Sequence, residues 1–331
     1  MSGSQSQGKE LRINTLGIQH YFNARGDLQT RDLFGYNQKM REAIYKLAEV
    51  FGISFNPEAL RWGYRFSPWK EEGGTFYKAF SLETGSLFLA FFEKIDGEWY
   101  LRIKGAETDE ERALRLIEKT LGHREDLVPL LSLSKSDPML ARALRELPGY
   151  RLKSTPSPHE ALFSAIISQN VSRGVFFKML AEFKELLGVR VEADGYVDFV
   201  FPSLEELRDF DPFDFKDRRL IHRASIIRDI AREVDGDFFV ELGRDPLSGI
   251  DALVKFRGVG EYTARATLLY GYRAYEIPVV DRYIQKMLAY LYADPGLREP
   301  NGLIAFALDR WGEYAGYAVD LLIAWSQKNE R

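Results

Sequence analysis

The chain has 331 residues and a net charge of −4, with 45% hydrophobic and 28% charged residues, which is the balance of a folded globular protein. It contains no cysteine, which excludes disulfides, thiol nucleophiles, cysteine-bound zinc and a cysteine-held iron–sulfur cluster. No apolar run approaches the roughly 20 residues of a membrane span, and the four histidines are not spaced as metal ligands.

Residues 1–10 are rich in Ser, Gln and Gly and lack an apolar segment. We therefore expect a disordered tail, no signal peptide and an intracellular location, in the cytoplasm or nucleoid. Residues 11–122 are predicted to form an α+β domain with an antiparallel sheet. Its elements are a strand over Leu11–Gln19, a helix over Asp32–Val50, an aromatic-rich meander from Thr75 to Ile103 and a closing helix with Thr108 as N-cap and Glu111 as its capping-box partner.

The meander contains many aromatic residues, which could stack on nucleic-acid bases or pack in a core, and core packing is the commoner role. Residues 123–331 are predicted to form an all-α domain. Strand patterns nearly vanish after Leu127, and long helical patterns cover Asp137–Glu146, Pro158–Leu187 and Asp217–Val234. The fold class is therefore α+β, with a sheet domain followed by a helical bundle.

A short segment with two glycines separates two predicted helices, Ile250–Lys255 and Ala264–Tyr272. Gly258 and Gly260 permit a tight hairpin, and the N–H groups of Gly258, Val259 and Gly260 could bind a nucleic-acid phosphate at a helix N-terminus. Between residues 251 and 286 there are six basic and four acidic residues, so the local charge is +2 within an acidic chain. An ordinary helix–turn–helix corner remains an alternative.

Asp281 follows this hairpin after the apolar segment Ile277–Val280. A carboxylate in a partly apolar cleft could stabilise a developing positive charge or deprotonate water. It could equally be a plain N-cap for the helix that begins at Arg282.

Together these residues resemble the helix–hairpin–helix (HhH-GPD) DNA glycosylases, in which a Gly-Val-Gly hairpin precedes an essential aspartate that follows a Pro-Val pair. Further resemblance lies in Ala165–Asn170, in Asp137-Pro138 and in Trp311–Ala318, the last being similar to the 8-oxoguanine glycosylase branch. The N-terminal domain is similar in pattern to the TATA-binding-protein-like sheet domain of that branch and of the alkyladenine (AlkA-like) branch. The resemblance implies that the partner is double-stranded DNA with a damaged base, bound by a monomer.

One departure from the family pattern concerns the mechanism. Family members that also cut the strand carry a lysine two residues after the second hairpin glycine, where this chain has Tyr262. A phenol cannot form an imine with the sugar, so the resemblance implies a monofunctional enzyme in which Asp281 supports an oxocarbenium-like sugar and water attacks. Lys255, just before the hairpin, is the alternative nucleophile.

The resemblance also implies roles for other residues. Gln169 and Asn170 are candidates to fill the gap left by a flipped base, although both could simply end a helix. The base pocket is expected to include Tyr262, with Phe306 and Tyr283 as candidates for which core packing is an equal alternative. The remaining candidates contact DNA through the hairpin or through basic side chains; they are Arg257, Gly258, Val259, Gly260, Thr263, Arg223 and Lys286. A K+ or Na+ ion at hairpin carbonyls near Phe256 and Gly258 is a further implication; no other cofactor is expected.

The leading hypothesis is excision of alkylated or deaminated purines from DNA. The first alternative is an 8-oxoguanine-type glycosylase that also cuts the strand through a displaced lysine. The second is a non-catalytic module that binds DNA lesions through the hairpin, which would have no use for Asp281.

Overall fold

The computed structural model describes residues 14–15, 18–22, 28–32, 41–52, 55–63, 66–105 and 109–330, with side chains described from residue 41 onward. By its internal contacts the chain divides into two units, residues 1–40 and 41–331. The predicted tail over residues 1–10 and the predicted N-cap Thr108 lie outside the described residues.

The first unit contains three antiparallel strands, β1 (Asn14–Thr15), β2 (Ile18–Phe22) and β3 (Leu28–Asp32), in the order β1-β2-β3. The predicted strand over Leu11–Gln19 overlaps β1 and the beginning of β2. The rest of that predicted strand falls outside the described residues.

The second unit begins with a five-stranded antiparallel sheet. Its strands are β4 (Arg41–Lys46), β5 (Lys70–Glu72), β6 (Thr75–Ser81), β7 (Leu87–Ile95) and β8 (Glu98–Gly105), in the spatial order β4-β8-β7-β6-β5. The predicted meander is therefore confirmed in β6, β7 and β8.

The predicted helix over Asp32–Val50 is wrong for most of its described length. Arg41–Lys46 forms the edge strand β4, which pairs with β8 from Arg41 opposite Gly105 to Lys46 opposite Tyr100. Only the short helix α1 (Leu47–Phe51) is helical, and its apolar residues Leu47 and Phe51 are both buried. Pairing with an available sheet edge overrides the local helical pattern here, because strand formation depends on tertiary neighbours that a sequence window does not contain.

One face of the sheet is covered by α1 and by helix α2 (Glu110–Leu121), which together enclose a separate hydrophobic core. Phe76, Phe80, Phe88 and Phe92 are at most 1% exposed. This supports the core-packing role of these aromatic residues over base stacking. Helix α2 is capped by Asp109, whose Oδ1 accepts the Arg112 N–H at 3.1 Å, so the predicted N-cap at Thr108 is wrong by one residue.

The rest of the second unit consists mainly of helices, and at its centre α5, α10 and α13 bury nearly all their apolar residues in one large core. No helix in the described part of the chain is both long and apolar enough to cross a membrane. The helices are α3 (Val128–Leu133), α4 (Pro138–Glu146), α5 (Pro158–Ser168), α6 (Arg173–Leu187), α7 (Arg218–Glu233), α8 (Gly236–Arg244), α9 (Pro246–Leu253), α10 (Glu261–Tyr272), α11 (Arg282–Leu291), α12 (Pro300–Trp311) and α13 (Ala315–Asn329).

A β-hairpin interrupts the helices, contrary to the expectation that strands vanish after Leu127. Strands β9 (Val189–Ala193) and β10 (Tyr196–Val200) are joined by Asp194 and Gly195, both with positive φ. An Asp-Gly pair between apolar segments is a strong turn pattern that the sequence analysis missed. The buried carboxylate of Asp198 on β10 accepts the Ala79 N–H of β6 at 2.9 Å, so the hairpin is anchored to the sheet.

A buried aspartate joins three helices in the C-terminal half. Asp137 caps α4 by accepting the N–H groups of Met139 and Leu140 at 3.0 and 3.1 Å. Its carboxylate also accepts Arg310 Nε at 2.5 Å and Trp311 Nε1 at 2.9 Å. Tyr292, at the end of α11, donates its hydroxyl to the same group at 3.1 Å. The Asp137 and Trp311 motifs, which are far apart in sequence, therefore meet in one structural cluster.

Candidate nucleic-acid interface and active site

The hairpin predicted between two helices is present, and it connects α9 to α10. Gly258 has φ +85°, and a Cβ at this position would lie 2.8 Å from Cδ1 of Ile226 on α7. Glycine is therefore required here by both the backbone conformation and the close approach of Ile226.

Gly260 has a different role from Gly258. Its φ is −100°, it is the N-cap of α10, and a Cβ built there would meet nothing within 4 Å. The open space leaves the first turn of α10 accessible to a phosphate, which the helix N-terminus favours. The Val259 N–H, by contrast, donates to the Phe256 carbonyl at 3.1 Å, so it is used within the hairpin and not directed at DNA as predicted.

Gln169, at the end of α5, is attached to the hairpin. Its Nε2 donates to the Gly258 carbonyl at 2.9 Å and to Thr263 Oγ1 at 2.8 Å. Thr263 is 1% exposed, so its side chain is placed to hold Gln169 and not to contact DNA. Arg223 on α7 donates to the Gln169 carbonyl and, at 2.7 Å, to the Arg219 carbonyl. The predicted residues Gln169, Gly258, Thr263 and Arg223 thus form one connected network.

Asn170 lies at the break between α5 and α6. It has φ +52° and is exposed, whereas Gln169 beside it is half-buried. The predicted helical pattern over Pro158–Leu187 forms two helices, and Asn170 lies at the exposed turn between them, in agreement with the expected helix end at Gln169 and Asn170. A left-handed conformation is tolerated better by asparagine than by most side chains.

Tyr262 lies in the first turn of α10. In the family that the sequence resembles, the strand-cutting members carry lysine at this position. Its side chain is half-buried, and its hydroxyl shares a hydrogen bond with Ser168 Oγ at 3.3 Å. The end of α5 thus fixes the phenol through Ser168 and the hairpin through Gln169.

Asp281 is the N-cap of α11, and its Oδ1 accepts the Ile284 N–H at 2.7 Å. The capping alternative is thus confirmed, and capping by one oxygen is compatible with chemistry at the other. The segment before Asp281 is held by the start of α13, because the Gly316 N–H donates to the Tyr275 carbonyl at 2.6 Å. A Cβ on Gly316 would lie only 2.5 Å from the Ile277 carbonyl oxygen. This gives the Trp311–Ala318 motif a physical role in positioning the approach to Asp281.

Two candidates for the base pocket have other neighbours. The Phe306 ring packs edge-to-face with Tyr292 and Trp311, at centroid distances of 5.0 and 5.5 Å, which matches its core-packing alternative. Tyr283 is partly exposed and donates its hydroxyl to Glu330 at 3.0 Å. It lines a surface cleft of about 390 Å³ that also contains Lys286, so these two candidates share one surface.

Arg257 and Lys255 are exposed, on the hairpin and just before it. The two hairpin carbonyls near which the resemblance implies a cation each accept a hydrogen bond from within the chain. Phe256 O accepts the Val259 N–H, and Gly258 O accepts the amide of Gln169. Separately, within the described residues no group of three or more His, Asp or Glu side chains could hold a metal ion.

Comparison with known proteins agrees with this geometry. Residues 163–311 match the family described as HhH-GPD superfamily base excision DNA repair protein. This segment is similar to members of that superfamily, and it covers slightly less than half of the chain. It includes the end of α5, the hairpin and Asp281, and it ends at Trp311.

Relatives of the HhH-GPD segment carry two kinds of name. The DNA-3-methyladenine glycosylase of Bacillus subtilis (strain 168) is 28% identical over 166 residues, which are 48% of this chain and 54% of the relative. The probable N-glycosylase/DNA lyase of Methanothermobacter thermautotrophicus is 26% identical over 202 residues, which are 55% of this chain and 64% of the relative. The chain thus matches less than two thirds of the length of these curated relatives.

The fold extends beyond the HhH-GPD segment. The structure of the 3-methyladenine DNA glycosylase from Archaeoglobus fulgidus superimposes with a TM-score of 0.71 at 20% identity, covering 86% of this chain and 98% of that one. At this identity the likeness concerns the fold alone. An antiparallel sheet region followed by a helical domain is therefore shared with a known glycosylase structure.

Sequence reasoning missed three residues that shape the HhH-GPD site. Ser168 bonds to Tyr262, Ile226 packs on Gly258, and Gly316 contacts the segment before Asp281. Ser168 and Gly316 lie inside motifs that the sequence analysis had singled out, so their position was a usable signal. Ile226 had none, because an apolar residue on a helix has no pattern that names its partner.

Proposed function

We propose that this protein is a base-excision DNA glycosylase that hydrolyses the N-glycosidic bond of a damaged base without cutting the strand. The similarity of residues 163–311 to the HhH-GPD superfamily supports glycosylase chemistry on DNA. The observation that carries the finer proposal is Tyr262, fixed by Ser168 at the position where strand-cutting relatives place a lysine.

In the proposed reaction the flipped nucleotide lies with its glycosidic bond near Asp281. The C1′–N bond breaks, the base leaves with the bonding electron pair and takes up a proton, and the sugar becomes oxocarbenium-like. The Asp281 carboxylate stabilises this positive charge, and water adds its oxygen to C1′ and releases a proton. The cap bond to Ile284 orients the carboxylate throughout.

Base extraction requires a group that fills the space left in the duplex, since unstacking costs a few kcal/mol. We propose Asn170 for this role, because it is exposed at a tight turn next to the hairpin. The first turn of α10 after Gly260 would bind a backbone phosphate, with Arg257 adding positive charge at the hairpin.

For the substrate we propose an electron-poor purine, alkylated or deaminated. An aromatic wall at Tyr262 favours stacking of such a base, and a relative named DNA-3-methyladenine glycosylase is consistent with it. The second candidate is an oxidised purine with strand cutting. The Trp311–Ala318 motif and the relative named N-glycosylase/DNA lyase favour that candidate, with exposed Lys255 as its nucleophile.

The experiment is a panel of duplexes that contain 3-methyladenine, 1,N6-ethenoadenine, hypoxanthine, uracil or 8-oxoguanine. Each is incubated with the protein, and the free base released is measured by mass spectrometry. Release from the first three duplexes is the expected result. Release from the 8-oxoguanine duplex alone would select the second candidate, and binding of all duplexes without any release would select a lesion-binding module.

A further inference from the structure

Gln169 is bonded to the hairpin, although the resemblance implied that its side chain enters the DNA duplex. An uncharged side-chain amide has two N–H donors on one nitrogen. In Gln169 that nitrogen reaches Gly258 O at 2.9 Å and Thr263 Oγ1 at 2.8 Å. Both donors therefore have partners on the hairpin and on α10. Gln169 could enter a duplex only by breaking both hydrogen bonds.

The main chain at Gln169 is fixed as well. Its carbonyl accepts a hydrogen bond from Arg223 on α7, and the same guanidinium donates to the Arg219 carbonyl at 2.7 Å. Arg219, Arg223 and Ile226 lie on successive turns of α7. Ile226 packs against Gly258 of the hairpin. Helix α7 thus holds the hairpin directly through Ile226 and indirectly through Gln169.

The acceptor of the Gln169 amide has a particular position in the hairpin. Gly258 O and Phe256 O are the carbonyls at which the resemblance implies a monovalent cation. An N–H group directed at a carbonyl oxygen places partial positive charge where a cation would lie. Phe256 O is in turn satisfied by the Val259 N–H at 3.1 Å. Each of these two carbonyls therefore already accepts one hydrogen bond from within the chain.

We propose that Gln169 is a positioning residue that holds the hairpin in its DNA-binding conformation and takes the place of a monovalent cation at the Gly258 carbonyl. The proposal rests on the proposed function only in that the hairpin binds DNA. It assigns the gap-filling role to Asn170 alone. It also implies that DNA binding by this protein does not depend on which monovalent cation is present.

The test uses the full chain and the variant Gln169→Met, which keeps the length of the side chain and removes both donors. Dissociation constants are measured by fluorescence anisotropy for an undamaged duplex and for the same duplex with a damaged base. Each is measured in KCl and in LiCl at equal concentration. Asn170→Ala is the matched control at the neighbouring position, and Gln169→Asn, whose amide is one methylene too short to bridge, serves if Gln169→Met does not fold.

The expected result is that Gln169→Met weakens binding to both duplexes by the same factor, roughly tenfold, the cost of about one hydrogen bond to a partly buried acceptor. The slope of log Kd against log salt concentration should fall by about 0.9, which corresponds to the loss of one phosphate contact. Asn170→Ala should lose affinity for the damaged duplex only. Wild type should bind equally in KCl and LiCl, within about twofold, and Gln169→Met should bind more weakly in LiCl, because its unpaired carbonyl then admits a cation.

Three results would overturn the proposal. Loss of affinity for the damaged duplex alone in Gln169→Met would make Gln169 a gap-filling residue. A strong preference of wild type for KCl would show that a cation holds the hairpin, and an identical response of wild type and variant to the salt exchange would remove the replacement role. Free base released by wild type is measured in the same samples. Absence of release with the expected binding pattern would refute the proposed function and leave this inference standing.

Discussion

Asp137 and Asp281 both cap helices, and they are placed in opposite surroundings. Asp137 caps α4 and is 1% exposed, with additional donors from Tyr292, Arg310 and Trp311. Asp281 caps α11, is partly exposed and follows the hairpin that connects α9 to α10. A sequence window identifies both as N-caps and cannot separate them.

The difference lies in how deeply each carboxylate is buried. In Asp137, burial alone would raise the pKa, but hydrogen bonds from Arg310, the Leu140 N–H and Trp311 outweigh it and lower the pKa of this carboxyl below its usual value. A carboxylate surrounded by donors in the interior is committed to structure. A partly exposed one at the start of a helix can still meet a substrate, so burial distinguishes the two roles where capping does not.

The largest effect is expected from Asp281→Asn. Asparagine keeps the cap on α11, so the fold should be retained, while the negative charge that supports the oxocarbenium-like sugar is lost. Single-turnover base release should fall by about 10²- to 10³-fold with the Kd for DNA nearly unchanged. Loss of binding together with activity would show that Asp281 serves the structure, as Asp137 does.

The matched substitution Asp137→Asn should have the opposite profile. It removes the charge opposite Arg310 and leaves one former acceptor facing donors in a buried site, which should lower the free energy of unfolding by about 3 kcal/mol. Thermal or urea unfolding measures this change. Base release by the remaining folded protein should stay close to that of wild type, and a specific loss of base release at unchanged stability would erase the distinction.

A third prediction concerns the buried N-terminal end of α5. Burial lowers the pKa of His159, at the start of this helix, to about 4, although its hydrogen bond to the Pro202 carbonyl opposes the shift. The unfolded chain, with an ordinary histidine pKa near 6.5, therefore binds a proton between about pH 6.5 and pH 4 that the folded chain does not. Stability from this group is complete above pH 6.5 and falls by about 3 kcal/mol as the pH drops to about 4.

Urea unfolding across this range, in wild type and in His159→Gln, measures the effect. The variant should show a shallower dependence on pH, whatever its absolute stability. Replacement of the exposed His222 by Gln is the control and should leave the slope as in wild type. An identical slope in all three proteins would contradict the assignment to His159.

The smallest effect is expected from Gly316→Ala, which tests the contact that leads to Asp281. The new methyl group would lie 2.5 Å from the Ile277 carbonyl, so the main chain must shift at a cost of about 1–3 kcal/mol, and base release should decline with it. Gly174→Ala on α6 is the control, because a Cβ there meets nothing within 4 Å. Equal behaviour of the two variants in unfolding and in base release would show that the Gly316 contact positions nothing.

The sequence predicted the parts of the structure that depend on local chemistry. The hairpin around Gly258, the cap at Asp281 and the meander strands follow from residues that are neighbours in the chain. It failed at β4 and understated the β9–β10 hairpin, because both are stabilised by pairing or packing with distant parts of the chain.

The same limit applied within the site. Sequence reasoning placed Gln169, Thr263 and Asn170 together on the DNA surface. In the structure Gln169 and Thr263 bond to each other beside the hairpin, whereas Asn170 has a positive φ and is exposed. No spacing rule encodes which of two adjacent amides turns inward.

Strand cleavage before and after alkali distinguishes release of a base from an intact strand from release with strand cutting. A duplex labelled at the 5′ end and containing the best substrate of the panel is incubated with the protein, and each sample is divided into one portion heated in alkali and one left untreated. From the roles proposed for Tyr262 and Asp281 we expect strand breaks only after alkali and no complex trapped by borohydride. Breaks without alkali, together with a trapped complex, would contradict the account and require a lysine nucleophile in this chain.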